Sequence, residues 1–295
     1  MKTDSAFPSA ALWRHLGAGP DLEPGLRAAL AWVVRAPGKG VRMQLVQATA
    51  LRFGLPAAKA ERLACAVEYF HLASLVLDDL PSMDDAHSRR GQPCVHRVHG
   101  EAAAILSALT LINRGYALTD ESLAAAPARV RRAARGWVDR CLGLAGLVGG
   151  QARDLTFDPR TATARDVGRI AAAKTGALFA LAVFLPAELG RPAPAERRAL
   201  HALCVYWGQL YQLEDDVADA LAAEAVAGKT TGRDRALGRP NLVHALGLPA
   251  ARHRQRRLAA LVRRTLARLD ALGGDRWQHM QAVFARPAAA ERSAA

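Results

Sequence analysis

This sequence predicts an all-α fold, a single-domain helical bundle, and three observations predict it. Ala, Leu, Arg and Glu, all favourable in helices, dominate the composition. Apolar residues recur at three- and four-residue spacing over long segments, while β-branched runs that alternate with period two are missing. The chain has 295 residues, 51% of them hydrophobic and 23% charged, so it can bury a large core and wholesale disorder is excluded.

Eight segments carry the helical period: 22–35, 41–54, 58–80, 101–118, 126–149, 164–190, 194–221 and 250–272. Punctuation separates them at Ala36-Pro37-Gly38, Gly54-Leu55-Pro56, Gly91-Gln92-Pro93, Asp158-Pro159 and Gly190-Arg191-Pro192. Residues 1–8 and 286–295 read as frayed ends, and no linker or fixed-period repeat divides the chain. The longest uninterrupted apolar run, 177–187, is shorter than the ~18–20 residues a membrane span needs. No signal-peptide core opens the chain, so a cytoplasmic enzyme without a transmembrane segment is expected.

Arg and Lys number 40 against 27 acidic residues, a net charge of +13. Seven arginines crowd residues 252–268, interleaved with Leu258, Leu261, Val262, Leu266 and Leu269, which predicts a helix with a basic outer face and an apolar inner one. No aromatic-studded basic groove accompanies that charge, so no nucleic-acid partner is expected. Cys65, Cys94, Cys141 and Cys204 stand far apart, outside any zinc spacing, and are expected to be reduced and mostly buried.

Two acidic clusters interrupt otherwise apolar helices: Asp78-Asp79-Leu-Pro-Ser-Met-Asp84-Asp85 and Glu214-Asp215-Asp216-Val-Ala-Asp219. Asp is unfavourable inside helices, and like charges three or four apart repel. Asp215 and Asp219 share one face with Asp216 beside them, an arrangement that calls for a neutralising cation. Oxygen-only ligand sets suit Mg²⁺, which substrate phosphates commonly complete. Pro81 ends the first helix, so Asp84 can fold back toward Asp78. One such cluster alone reads equally well as a solvated loop; two, each closing a long apolar helix, do not.

Cations arrive in short packets around these clusters. Lys39 and Arg42 stand at a glycine-rich helix start in Pro37-Gly38-Lys39-Gly40-Val41-Arg42, where backbone N–H groups also favour anions. Arg89-Arg90-Gly91 follows the first cluster, Lys174-Thr175-Gly176 sits within a long helical pattern, and Gly228-Lys229 and Gly238-Arg239 follow the second. Arg grips phosphate oxygens bidentately and Lys acts as a point charge.

In these motifs and their order the chain resembles the trans-isoprenyl diphosphate synthases of the polyprenyl synthetase family, close to bacterial geranylgeranyl and farnesyl diphosphate synthases. The resemblance runs over about residues 37–247. Its most specific parts are the stretch from His71 to Asp85, Arg89-Arg90-Gly91-Gln92-Pro93, Gly100-Glu101, Gly150-Gln151-Ala-Arg-Asp154, Lys174-Thr175-Gly176 and Gln212-Leu-Glu-Asp215-Asp216-Val-Ala-Asp219. It implies an isoprenoid-synthase-type bundle around a deep central cavity, usually a homodimer. Two or three Mg²⁺ ions would be held by Asp78, Asp79, Asp84, Asp215, Asp216 and Asp219. The allylic diphosphate (dimethylallyl, geranyl or farnesyl) would meet Arg89, Lys174, Thr175, Gln212, Lys229 and Arg239. Isopentenyl diphosphate would lie against Lys39, Arg42, His71 and Arg90. Alone, His71 reads as a core histidine; its i, i+3, i+7 spacing with Ser74 and Asp78 and the family motif favour the diphosphate role.

Product length turns on the residues just before Asp78. At about 1.5 Å rise per residue, Ser74 lies roughly 6 Å and Ala73 roughly 7.5 Å below it. Farnesyl-producing relatives typically place an aromatic ring in this neighbourhood; here both positions are small. That favours geranylgeranyl diphosphate, C20, over farnesyl diphosphate, C15, although deeper side chains can also close a cavity. The chain departs from the family pattern in losing one arginine at Gly40, in carrying Arg239 where a lysine is usual and Arg233 ahead of Asp234, and in the added Glu214. A class I terpene cyclase would carry an Asn/Ser/Glu-type second motif and need no isopentenyl pocket. A silent partner subunit would lose carboxylates from one motif. Neither fits as well.

Overall fold

The computed structural model of the protein describes residues 6–38, 40–225 and 240–284. Its packing groups into two compact units, Met1–Arg131 and Arg132–Ala294. Among the described residues the only sheet is one two-stranded hairpin.

The first unit holds α1 (Ala6–Leu16), α2 (Pro24–Arg35), α3 (Val41–Arg52), α4 (Ala57–Asp78), the strands β1 (Ser88–Arg89) and β2 (Gln92–Pro93), α5 (Val95–His99) and α6 (Glu101–Leu123). Helix α4 is its axis. Every residue from Leu63 to Ala73 is buried, because α1, α3 and α6 pack around it. A helix that is apolar on all sides belongs inside a core. Gly115 of α6 makes this possible on one side: a Cβ there would stand 2.7 Å from the Phe70 ring. On another side the Tyr69 hydroxyl donates to the Leu12 carbonyl of α1. Helix α1 begins at Ala6, inside the stretch 1–8 expected to fray.

The second unit holds α7 (Ala128–Leu142) from Arg132 onward, α8 (Leu147–Leu155), α9 (Ala164–Ala171), a π-helical turn (Ala172–Gly176), α10 (Ala177–Gly190), α11 (Pro194–Ala225), α12 (Leu242–Leu246), α13 (Leu248–Gly273), a 3₁₀ turn (Gly274–Trp277) and α14 (Gln278–Phe284). The segment expected as one helix over 126–149 is two, parted by Gly143–Gly146. The expectation that no stretch is membrane-length needs correcting. Ala164–Gly190 is a helix of 27 residues with a window of mean hydropathy 1.8, long and apolar enough to cross a membrane, but 78% of that window is buried as the unit's core. Trp137 stacks on Phe184 with centroids 3.8 Å apart, and its indole N–H donates to Glu188, which also accepts from Arg197.

Helix α13 meets the expectation for the arginine-rich stretch: Leu258, Val262, Leu266 and Leu269 are buried and Arg252, Arg256, Arg257, Arg263, Arg264 and Arg268 face outward. All four cysteines are free thiols in buried positions.

Overpacking a buried helix contact costs about 1–3 kcal/mol. Gly115→Val, which drives a branched side chain into the Phe70 ring, is expected to lower stability by that amount and the melting temperature by several degrees. An unchanged melting temperature would show that α4 and α6 do not depend on this approach.

Candidate functional site

In the first unit, α4 brings the predicted residues to its C-terminal end. Helix α4 stops at Asp78, Pro81 follows, and the chain turns back so that the Asp84 N–H donates to the Asp78 carbonyl at 3.0 Å and the Ala86 N–H to the Asp79 carbonyl at 3.1 Å. This is the return the proline predicts, and it sets Asp84 beside Asp78. Asp79 is different. It is 4% exposed, and Arg89 grips its carboxylate in a fork, with Nε donating at 2.8 and 2.9 Å and Nη2 at 2.6 Å. Asp79, one of the six aspartates expected to hold metal, is thus paired with Arg89 in this structure.

Arg89 sits on β1, and the two-residue loop Arg90-Gly91 closes the hairpin with Ser88 opposite Pro93 and Arg89 opposite Gln92. Both loop residues have positive φ, 54° and 73°, the backbone of a type I′ turn. A non-glycine residue held there is strained, and such strain gathers at functional positions. Here it aims Arg90 back over Gly38, whose own φ is 74° and where a Cβ would meet the Arg90 guanidinium at 2.6 Å. Arg90 Nη1 also donates to the Ala36 carbonyl at 3.2 Å.

Two turns before Asp78, His71 completes the group. Its Nε2 accepts from Arg42 Nη1 at 3.3 Å and from Arg90 Nη2 at 3.4 Å, so its proton belongs on Nδ1. Burial, with the charges of Arg42, Arg90 and Arg89, holds the imidazole well below the usual histidine range and keeps it neutral. Three of the four predicted isopentenyl diphosphate residues thus converge; the fourth, Lys39, lies outside the described residues.

In the second unit, the π-helical turn carries Lys174 and Thr175. Insertions of this kind disturb the regular helix and recur at functional sites. Lys174 Nζ donates to Asp154 Oδ2 at 2.9 Å. Gly150 lets α8 approach the π turn closely: a Cβ there would stand 2.6 Å from the Lys174 backbone nitrogen. Thr175 Oγ1 donates to Gln212 Oε1 at 3.1 Å, and Gln212 Nε2 donates to Asp216 Oδ1 at 3.0 Å. The other oxygen of Asp216 accepts the Leu242 N–H at 2.7 Å, and the residue is 1% exposed. Asp216, like Asp79, is occupied in holding neighbours. Asp215, next to it, is partly exposed. The side chain of Asp219, together with Lys229 and Arg239, lies outside the described residues. Asp154 was missing from the predicted site, although the motif Gly150-Gln151-Ala-Arg-Asp154 contains it; the helix expected here stopped at 149, short of the end of α8.

A cleft of about 840 Å³ also opens in this unit, with the Trp137–Phe184 stack, Ala173, Gly176 and Ala177 among its walls. None of the described diphosphate or metal candidates lines it.

Among the described residues no three Asp, Glu, His or Cys side chains converge as a complete metal cage. The carboxylate pair Asp78 and Asp84 is an oxygen-only partial set, which fits a hard cation that takes its remaining ligands from substrate phosphates and water.

The polyprenyl synthetase family model matches residues 23–272. A geranylgeranyl diphosphate synthase of Pseudescherichia vulneris is 37% identical over 225 residues, 76% of this chain and 71% of that protein. The farnesyl diphosphate synthase of Escherichia coli is 37% identical over 238 residues, 79% of this chain and 78% of that one. The crystal structure of an FPP/GFPP synthase from Zymomonas mobilis superposes with a TM-score of 0.78 at 27% identity, covering 96% of each chain.

The neutral His71 makes a testable mark on stability. Its folded-state pKa lies below the ordinary 6.5, so as pH falls below about 6.5 the unfolded chain takes up a proton that the native one refuses. The unfolded state then binds more protons, and native stability falls with falling pH by up to about 1.4 kcal/mol per unit. Urea denaturation at pH 5 and pH 7.5 should show that His71→Gln loses less stability on acidification than the parent. Equal losses would mean His71 is charged in the folded protein.

Proposed function

The chain belongs to the polyprenyl synthetase family, and on that premise we propose that it is a short-chain prenyltransferase that joins isopentenyl diphosphate to an allylic diphosphate, with geranylgeranyl diphosphate as product. The observation that carries this reading is the presence of two distinct charged sites on one helix. Arg42, His71 and Arg90 gather around one turn of α4, and Asp78 and Asp84 stand two turns further on. An elongating enzyme needs a seat for each of two diphosphates; a cyclase, which ionises a single substrate, needs only the acidic one.

In the first unit Asp78 and Asp84 would hold Mg²⁺, with Asp79 keeping Arg89 in place for the allylic diphosphate. In the second, Asp215 and Asp219 would hold the ion and Asp216 would fix Gln212, beside Lys174 and Thr175. Bound Mg²⁺ supplies Lewis-acid stabilisation of charge on the departing diphosphate. Fixed cations such as Arg89 and Lys174 act on the same growing charge, and so favour the transition state over the substrate. Arg42 and Arg90 hold the isopentenyl diphosphate while its double bond attacks. Neutral His71 adds no third positive charge to that seat and accepts a hydrogen bond from each guanidinium.

Ser74 lies on the half-buried side of α4 with Asp78, while Ala73 is packed inside the unit. Both are small, which supports a long product; farnesyl diphosphate is the second reading. Helix α6 exposes Ile105, Leu106, Leu109 and Tyr116 along one face, and this apolar stripe supports a homodimer.

The test is incubation of purified protein with Mg²⁺, isopentenyl diphosphate and each allylic primer, followed by chain-length analysis. A C20 product is expected, and Asp78→Ala or Asp215→Ala should remove most turnover without unfolding the protein. A hydrocarbon released from farnesyl or geranylgeranyl diphosphate alone would make the protein a cyclase instead. In the same assay Ser74→Phe or Ala73→Phe should shorten the product toward C15 or C10; unchanged length in both would place the floor on another helix.

A further inference from the structure

We propose that Glu68 is a positioning residue of the isopentenyl diphosphate seat, clamping the start of α3, and with it Arg42, against α4. The inference rests on the prenyltransferase reading for its substrate but on three separate structural observations for its geometry.

The first concerns a missing cap. The opening N–H groups of any helix lack acceptors within the helix and need them from elsewhere. Helix α3 begins after Gly40, which has no side chain to offer, and no side-chain cap is present there. Glu68, on α4, accepts the N–H of Met43, the residue that follows Arg42. A carboxyl group on a neighbouring helix thus replaces the local cap, and a helix N-terminus is where such a group is favoured.

The second concerns direction. Glu68 and His71 are three residues apart on α4 and share a face. The same Arg42 and Arg90 that donate to His71 also bear electrostatically on Glu68. One carboxyl therefore stands among the groups that would receive the diphosphate, although it belongs to no ligand set.

The third concerns cost. Glu68 is 1% exposed, and its Oε2 is buried with no hydrogen-bond partner. Burying an acceptor unpaired is unfavourable. Its persistence here is accounted for by what it holds, the start of α3 beside the two guanidiniums that meet His71. Burial pushes the Glu68 carboxyl up, only partly offset by Arg42, Arg90 and the Met43 N–H. A neutral amide of the same shape should therefore serve nearly as well.

Steady-state kinetics on the full chain separate these roles. Glu68→Ala is expected to raise KM for isopentenyl diphosphate at least tenfold, while kcat and the KM for the allylic primer stay within threefold. Glu68→Gln, which still offers Met43 an acceptor, should stay within threefold on all three. If Glu68→Ala does not fold, Glu68→Met, which fills the volume without an acceptor, carries the same expectation. An unchanged KM for isopentenyl diphosphate in the Ala or Met variant, or an equal rise in both KM values, would overturn the proposal. Should the parent protein prove unable to condense the two substrates, calorimetric binding of inorganic diphosphate decides the matter independently. A tenfold loss in the Ala or Met variant with retention in Glu68→Gln would uphold the clamp, and equal binding in all would refute it.

Discussion

Helix α4 is buried on every side from Leu63 to Ala73, and the chemistry of the first unit depends on that confinement. A helix enclosed this way can neither rotate nor slide without disturbing close packing on several neighbours at once. Any polar group on it must find its partners in the elements packed around it. Glu68 finds Met43 on α3, Tyr69 finds the Leu12 carbonyl on α1, and His71 finds Arg42 and Arg90. The rigid axis that makes the core also sets the spacing between the Arg42–His71–Arg90 cluster and the carboxylates at its end.

The position of Arg90 follows from the same confinement. The second guanidinium at His71, after that of Arg42 on α3, comes from a segment that leaves α4, passes the acidic turn and returns. The hairpin from Ser88 to Pro93 makes that return in six residues, at the cost of a left-handed backbone at Arg90 itself. Gly38 then clears the guanidinium's path. Neither glycine-poor hairpin nor bulky loop would deliver the charge to the same place.

Much of this was legible in the sequence because the periodicity is strong and the punctuation local. Pro81 announced the return of Asp84, and the leucine spacing of residues 252–268 announced the buried face of α13. What escaped was set by contacts between distant residues. The break at Gly143–Gly146 and the π turn at Lys174 leave an apolar pattern close to that of an unbroken helix, and they show only when neighbouring helices are present. The role of Glu68 was equally hidden: a lone acidic residue among apolar ones carries no sign of which helix it caps.

The aspartate doublets show most clearly why motif and geometry differ. Adjacent residues on a helix point about 100° apart, so two neighbouring carboxylates cannot face one ion in the same way. In Asp78-Asp79 the second member turns inward and takes Arg89; in Asp215-Asp216 the second turns inward and takes Gln212 and the Leu242 N–H. Each doublet so divides its work between a more exposed carboxylate and a buried one that fixes the polar group beside it. The repeated Asp-Asp reads as two equivalent carboxylates, whereas the fold gives the second of each doublet polar partners within the protein. Loss of the buried member would leave its partner, Arg89 or Gln212, in the right region but without the hydrogen bonds that fix its direction, a cost a charge count on the motif does not register.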